Sequence, residues 1–198
     1  MAKENEFELS SAGAMDAAKN ILDSPFGAHC LVVYSDLKKC REFYSTYIHK
    51  VIKKDDEIVL FAPFYETENS VRHTLSHQYH KIINLDEVDN IESKLIIIDS
   101  LRKYFRNLNM VQDYESNQRL VDSAKELGKK GATVICDTGA FGYQHKTQEL
   151  IEYEMLLPSH YDINLKGICL YHYKDFSMLS KDIIQNLINH HEIGISID

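Results

Sequence analysis

The chain has 198 residues, 44% of them hydrophobic, and a formal net charge of -8. That length suits one α/β domain with a sizeable core, and the acidic balance argues against a protein that seeks a nucleic-acid backbone. No segment has the length of a membrane span, the N-terminus lacks the apolar core of a signal peptide, and four cysteines without a CxxC pair point to reduced thiols in a cytoplasmic protein.

Residues 1–11 are mostly polar and charged and read as a loose tail. Met15, Ala17, Ala18, Ile21 and Leu22 recur at helical spacing and predict a short helix over 14–23, broken by Asp23-Ser24-Pro25-Phe26-Gly27. Residues 1–24 are thus expected to precede a single α/β domain at 25–198. His29-Cys30-Leu31-Val32-Val33-Tyr34 is a buried strand, and Ser35-Asp36 can cap a helix over 37–51. A second strand covers 58–64, where Pro63 stops or bulges it. A helix over 70–79, a short strand over 81–85 and an acidic connector over 86–93 follow.

Leu95-Ile96-Ile97-Ile98 is an unbroken β-branched and aliphatic run, which suits a strand buried on both faces in the middle of a parallel sheet. It ends in Asp99 and Ser100. Residues 101–108 fit a helix or an irregular loop, and 111–127 a helix closed by Gly128 and Gly131. Next come a strand over 132–137 ending in Asp137, a glycine-bearing loop over 138–142 and a helix over 147–157 stopped by Pro158. The chain closes with a strand over 166–173, a helix over 180–191 and a short alternating edge strand over 193–197. This alternation predicts a three-layer, doubly wound α/β sandwich with a mainly parallel sheet.

Such sheets bind ligands at the carboxyl ends of their strands. Read along the chain, those ends carry Tyr34 and Asp36; Phe64, Tyr65 and Glu66; Asp99 and Ser100; Asp137 and Thr138; and Tyr171, His172 and Tyr173. Aromatic walls with a few convergent polar groups are what a small-molecule pocket needs. A phosphate loop would need glycines and a lysine after the first strand. That position holds Tyr34-Ser35-Asp36-Leu37-Lys38-Lys39, and no GxxxxGKS/T occurs. His29 and Cys30 are adjacent in a strand, so they point to opposite faces and do not share a metal. His73, His77 and His80 share a helix face, a solvated stripe by default. Glu152 and Glu154 are two apart on a helix, so one can turn inward while the other is solvated.

The strand 58–64 with the following helix, and then Leu95 to Ser100, resemble the second strand and the Walker B strand of KaiC/RecA-like domains. The span 27–198 resembles the MEDS family, a sensory domain of the methanogen/methylotroph DcmR type. The matching pieces are Gly27-Ala28-His29-Cys30 with Val33-Tyr34, Glu66, Asp137-Thr138-Gly139, Leu150-Ile151-Glu152-Tyr153-Glu154, Ile168 to Tyr173 before Phe176, and Leu187-Ile188-Asn189-His190-His191. The resemblance implies a KaiC-like fold without a Walker A motif. It also implies a non-catalytic sensor of small organic molecules such as hydrocarbon derivatives, of the kind found in archaeal and bacterial signal transduction and transcription regulation. This chain carries no helix-turn-helix or kinase module, so its output is expected to pass through a signalling partner protein or an oligomer, and the Tyr-rich surface leaves a homodimer open.

The preferred reading is a small organic ligand held by Tyr34, Phe64, Tyr65, Tyr171 and Tyr173 as walls. Glu66, Asp99, Asp137, His172 and Glu152 would orient it, with Asp36, Ser100 and Thr138 beside them and residues 138–142 as a moving part. No catalytic residue, metal ligand or cofactor is assigned. The rival is a degenerate nucleotide-binding protein or metal-dependent enzyme using Asp99 and Glu66, and a third reading is a structural oligomer subunit.

Overall fold

The computed structural model describes residues 8–77, 88, 90–105 and 110–198. Its strands are β1 (Ser10–Ala12), β2 (His29–Tyr34), β3 (Glu57–Ala62), β4 (Leu95–Ile97), β5 (Gly131–Asp137), β6 (Leu165–His172) and β7 (Ile193–Ile197). Its α-helices are α1 (Ala14–Asp23), α2 (Leu37–Lys54), α3 (Glu68–His77), α4 (Ser100–Phe105), α5 (Met110–Glu126), α6 (Gly139–Tyr143), α7 (Thr147–Leu156), α8 (Tyr173–Phe176) and α9 (Lys181–His190). The predicted strand over 81–85 and the position of His80 lie outside the described residues.

The sheet runs β1-β7-β2-β6-β5-β3-β4, and every pairing is parallel. Every residue of β2 is buried, which matches a central strand covered on both faces. Side-chain alternation then divides the core. Cys30, Val32 and Tyr34 face α1, α2 and α3, whereas Leu31 and Val33 face α5, α6, α7 and α9. The result is the expected three-layer α/β sandwich.

Local chemistry sets the element ends. Ala14, Ala17 and Ala18 give α1 a flat buried face that allows close approach to α2. Asp36 caps α2 by accepting from Lys39 N at 3.0 Å. The helix ends at Asp55 in the left-handed region, φ 57°. Pro63 ends β3 as its missing N–H requires.

Three placements differ from the sequence reading. Residues 95–97 form the outer strand among the described residues, not a central one. Leu95 and Ile97 pack into one core layer and Ile96 and Ile98 against the other, so an edge strand sandwiched between helices mimics a central one. Residues 193–197 are interior rather than at an edge, because Ser10–Ala12, which begins within the expected loose tail, pairs along β7. Residues 139–143 are a short helix instead of a loop, with Gly139, Ala140 and Phe141 buried.

At the amino ends of the strands a charged pair is sealed in and fully partnered. Lys166 Nζ donates to Leu22 O at 2.9 Å and lies 3.3 Å from Glu57 Oε1. Glu57 Oε2 accepts from Thr133 Oγ1 at 2.6 Å.

Candidate functional site at the strand ends

The carboxyl ends of β2, β5 and β6 meet around Asp137, the last residue of β5. Tyr34 reaches across the end of β6 to donate its hydroxyl to Asp137 Oδ2 at 2.7 Å, and Gly139 N donates to Oδ1 at 2.9 Å. Burial raises the Asp137 carboxyl to about 7. The Gly139 and Tyr34 donors pull it down, while the nearby Asp175 and Glu66 carboxylates push it up. A buried carboxyl near neutrality can donate or accept a hydrogen bond to a ligand.

Aromatic side chains wall this group. The His172 ring meets Tyr34 edge-on at 5.2 Å and Tyr65 at 5.5 Å, and Phe64 meets Tyr65 edge-on at 4.7 Å. Tyr65 donates to Asp175 Oδ2 at 2.8 Å. Gly139 permits this packing: a Cβ there would stand 2.6 Å from Phe64 Cδ1 and 3.0 Å from Tyr65 Cε2. On the outer side of Phe64 and Tyr65 opens a cleft of about 370 Å³, lined also by Glu66, Asp99 and Arg102. That volume lies in the range of small-molecule sites.

The structure thus gathers Tyr34, Phe64, Tyr65, Asp137 and His172, with Glu66 and Asp99 on the adjoining cleft. The other candidates stand apart. Asp36 is exposed and occupied as the α2 cap. Thr138 Oγ1 donates to Leu170 O at 3.0 Å. Ser100 is buried at the start of α4, its hydroxyl unbonded. Asp99 accepts from Arg102 N at 3.0 Å. Glu66 is clamped by Arg41 Nε at 2.9 Å, Tyr44 at 3.1 Å and Ser70 at 3.0 Å, which fits a fixed cleft wall better than a free orienter. Tyr173 is exposed and belongs to no wall. Tyr171 points into the opposite face of the sheet, with Phe176.

Glu152 is exposed and accepts from Gln148. The inward member of the pair is Glu154, because position 154 of α7 faces the sheet. There it meets His29, Cys169 and His191, four buried side chains whose donor atoms lie within 4.8 Å of one another. Burial and the neighbouring His191 hold His29 down to about 3. Burial pushes Glu154 up, but His191, His29 and Tyr171 outweigh it and hold the carboxyl low. Sequence reasoning missed this group, although the parity of two paired strands puts His29 and Cys169 on one face. His73 and His77 stack at 4.6 Å beside a larger groove of about 960 Å³, toward the amino ends of the strands. Nothing convergent and buried faces that groove among the described residues, so the smaller strand-end cleft is the better candidate.

The model of the MEDS family, described as the methanogen/methylotroph DcmR sensory domain, matches residues 28–192. The chain belongs to the MEDS family. No curated protein matches it. Among solved structures, a KaiC-like protein from the hyperthermophilic archaeon Pyrococcus horikoshii aligns over 83% of this chain and 68% of its own, with a TM-score of 0.52 and 16% identity. That likeness establishes the KaiC/RecA-like fold. The matched MEDS span includes both the Asp137 cluster and the His29, Glu154, Cys169 and His191 group. Among the described residues, no helix of this MEDS chain is long and apolar enough to cross a membrane.

Proposed function

We propose that this MEDS chain senses a small organic molecule, a hydrocarbon derivative or similar, bound without catalysis at the strand ends and signalled through a partner chain or a second copy. The observation that carries the reading is Asp137: buried, near neutral, bonded to Tyr34 and to Gly139, which packs on the Phe64 and Tyr65 rings that line an open cleft. Gly139 ties the two together, since the same residue bonds Asp137 and seats the aromatic wall. A ligand that displaces Phe64 or Tyr65 would alter α6, and differential binding of two arrangements is what a signal requires.

A nucleotide reading is weaker. In KaiC/RecA-like chemistry a phosphate needs the free N–H groups of the helix after the first central strand. Here the Asp36 carboxylate already takes one of them and repels an anion. Titration calorimetry with ATP–Mg²⁺ and with a panel of small alcohols, amines and halocarbons tests the proposal. The expected result is heat from a neutral organic compound that Asp137→Asn weakens. ATP–Mg²⁺ binding lost in Asp99→Ala would overturn it in favour of the nucleotide reading.

A further inference from the structure

The sheet face opposite Asp137 carries a second polar group, and its chemistry differs in kind. His29 comes from the start of β2, Cys169 from the middle of β6, Glu154 from α7, and His191 from the turn after α9. All four are buried, Glu154 completely. His29 Nε2 stands 3.4 Å from Cys169 Sγ and 3.9 Å from Glu154 Oε2, and His191 Nε2 stands 3.3 Å from the same oxygen. Yet both Glu154 oxygens, His191 Nε2 and the neighbouring Tyr171 hydroxyl make no well-aligned hydrogen bond. Buried polar atoms are ordinarily bonded, and a buried carboxylate above all. The Lys166–Glu57 pair in the same molecule obeys that rule.

We propose that His29, Glu154, Cys169 and His191 form a buried four-coordinate site for a divalent transition-metal ion of the zinc class. The donor set of two imidazoles, a thiolate and a carboxylate is one that zinc takes. Around a tetrahedral zinc ion, neighbouring donors lie about 3.3–3.6 Å apart. Two of the three separations above already meet that spacing, the third exceeds it at 3.9 Å, and every donor atom lies within 4.8 Å of the rest. Charge also closes: two neutral imidazoles, one carboxylate and one thiolate balance a divalent cation, leaving a neutral group in the core. Binding releases the Cys169 thiol proton to solvent.

The outer contacts fit as well. His191 Nδ1 donates to Leu187 O at 2.7 Å, so Nε2 is the nitrogen that faces Glu154. A ligating histidine is usually held this way by its other nitrogen. The Pro158 carbonyl lies beside the His29 ring, although Nδ1 makes no bond in good geometry. Four protein donors close the coordination sphere, so the ion's role is to pin α7 and the α9–β7 turn to the central strands. The site is separate from the proposed ligand cleft and does not depend on it.

Because the donors are sealed in, the ion enters as the chain folds. The test is to unfold the full chain in urea with chelator and refold it with cobalt(II) chloride. The expected spectrum has the visible bands of tetrahedral cobalt and a near-ultraviolet thiolate-to-cobalt band, saturating at one ion per chain and abolished by zinc. Cys169→Ser should lose the thiolate band, and Glu154→Gln should weaken binding by more than the roughly 10–100-fold that loss of an outer contact costs. The wild-type spectrum alone decides if a variant fails to fold. A featureless or octahedral cobalt spectrum, or a thiolate band that survives Cys169→Ser, would overturn the site.

Discussion

Asp137 and Glu154 are buried carboxyls on opposite faces of one sheet, and their surroundings divide them. Asp137 ends a strand, takes a donor on each oxygen and neighbours Gly139, which seats the Phe64 and Tyr65 wall of the cleft. Glu154 lies under a helix, between two histidines and a cysteine, with neither oxygen in a well-aligned bond. Satisfied polar groups near a cleft can exchange a partner for a ligand at small cost. Poorly aligned ones sealed in a core leave a place for something that arrives with folding. The first arrangement suits reversible sensing and the second a resident group.

The largest effect should come from the sealed cluster. Glu154→Ala removes the anion facing His191 and any bound cation, and breaking a buried pair in this way costs about 3–5 kcal/mol, read as a fall in the urea midpoint. A loss under 1 kcal/mol would mean that Glu154 pairs with nothing, and the contrast between the two faces would fail.

Asp137 should show itself through pH. Its carboxyl sits at about 7 in the fold against an ordinary 3.8. Between those values the folded chain holds a proton that the unfolded chain has released, so this contribution is complete below the lower value and is lost as pH rises through the upper one. The slope is at most about 1.4 kcal/mol per pH unit. Urea titrations across that window should show stability contributed by Asp137 falling with pH, and Asp137→Asn should flatten the curve. An identical pH profile in the variant would place the proton elsewhere.

Asp36→Ala should cost least, about 1 kcal/mol for a lost helix cap. It separates the cap from the missing phosphate loop, because freeing Lys39 N should not create ATP–Mg²⁺ binding without a lysine-bearing loop. Calorimetric nucleotide binding by this variant would show that the cap alone had blocked it.

Much of this was legible in the chain. Strand and helix alternation gave the three layers, and the rule that ligands bind at strand ends led to Tyr34, Phe64, Tyr65, Asp137 and His172. What escaped was order across the sheet. The run 95–98 reads as central because apolar layers cover both faces of a strand that is outermost among the described residues. Residues 193–197 read as an edge because their cover, Ser10–Ala12, comes from a segment with no strand signature. Glu152 and Glu154 were indistinguishable until α7 was docked. The His29, Glu154, Cys169 and His191 group is assembled from four distant segments: strand parity brings His29 and Cys169 to one face, and Glu154 and His191 join only once α7 and α9 are docked.

The central claim is that a ligand is read at the Asp137 end of the sheet. Amide chemical-shift mapping of the full chain, titrated with the panel of small alcohols, amines and halocarbons, tests it most directly. The account predicts saturable shifts confined to residues 62–67, 97–102, 137–141 and 172. Shifts centred instead on the groove at His73, His77 and residues 90–93 would contradict it.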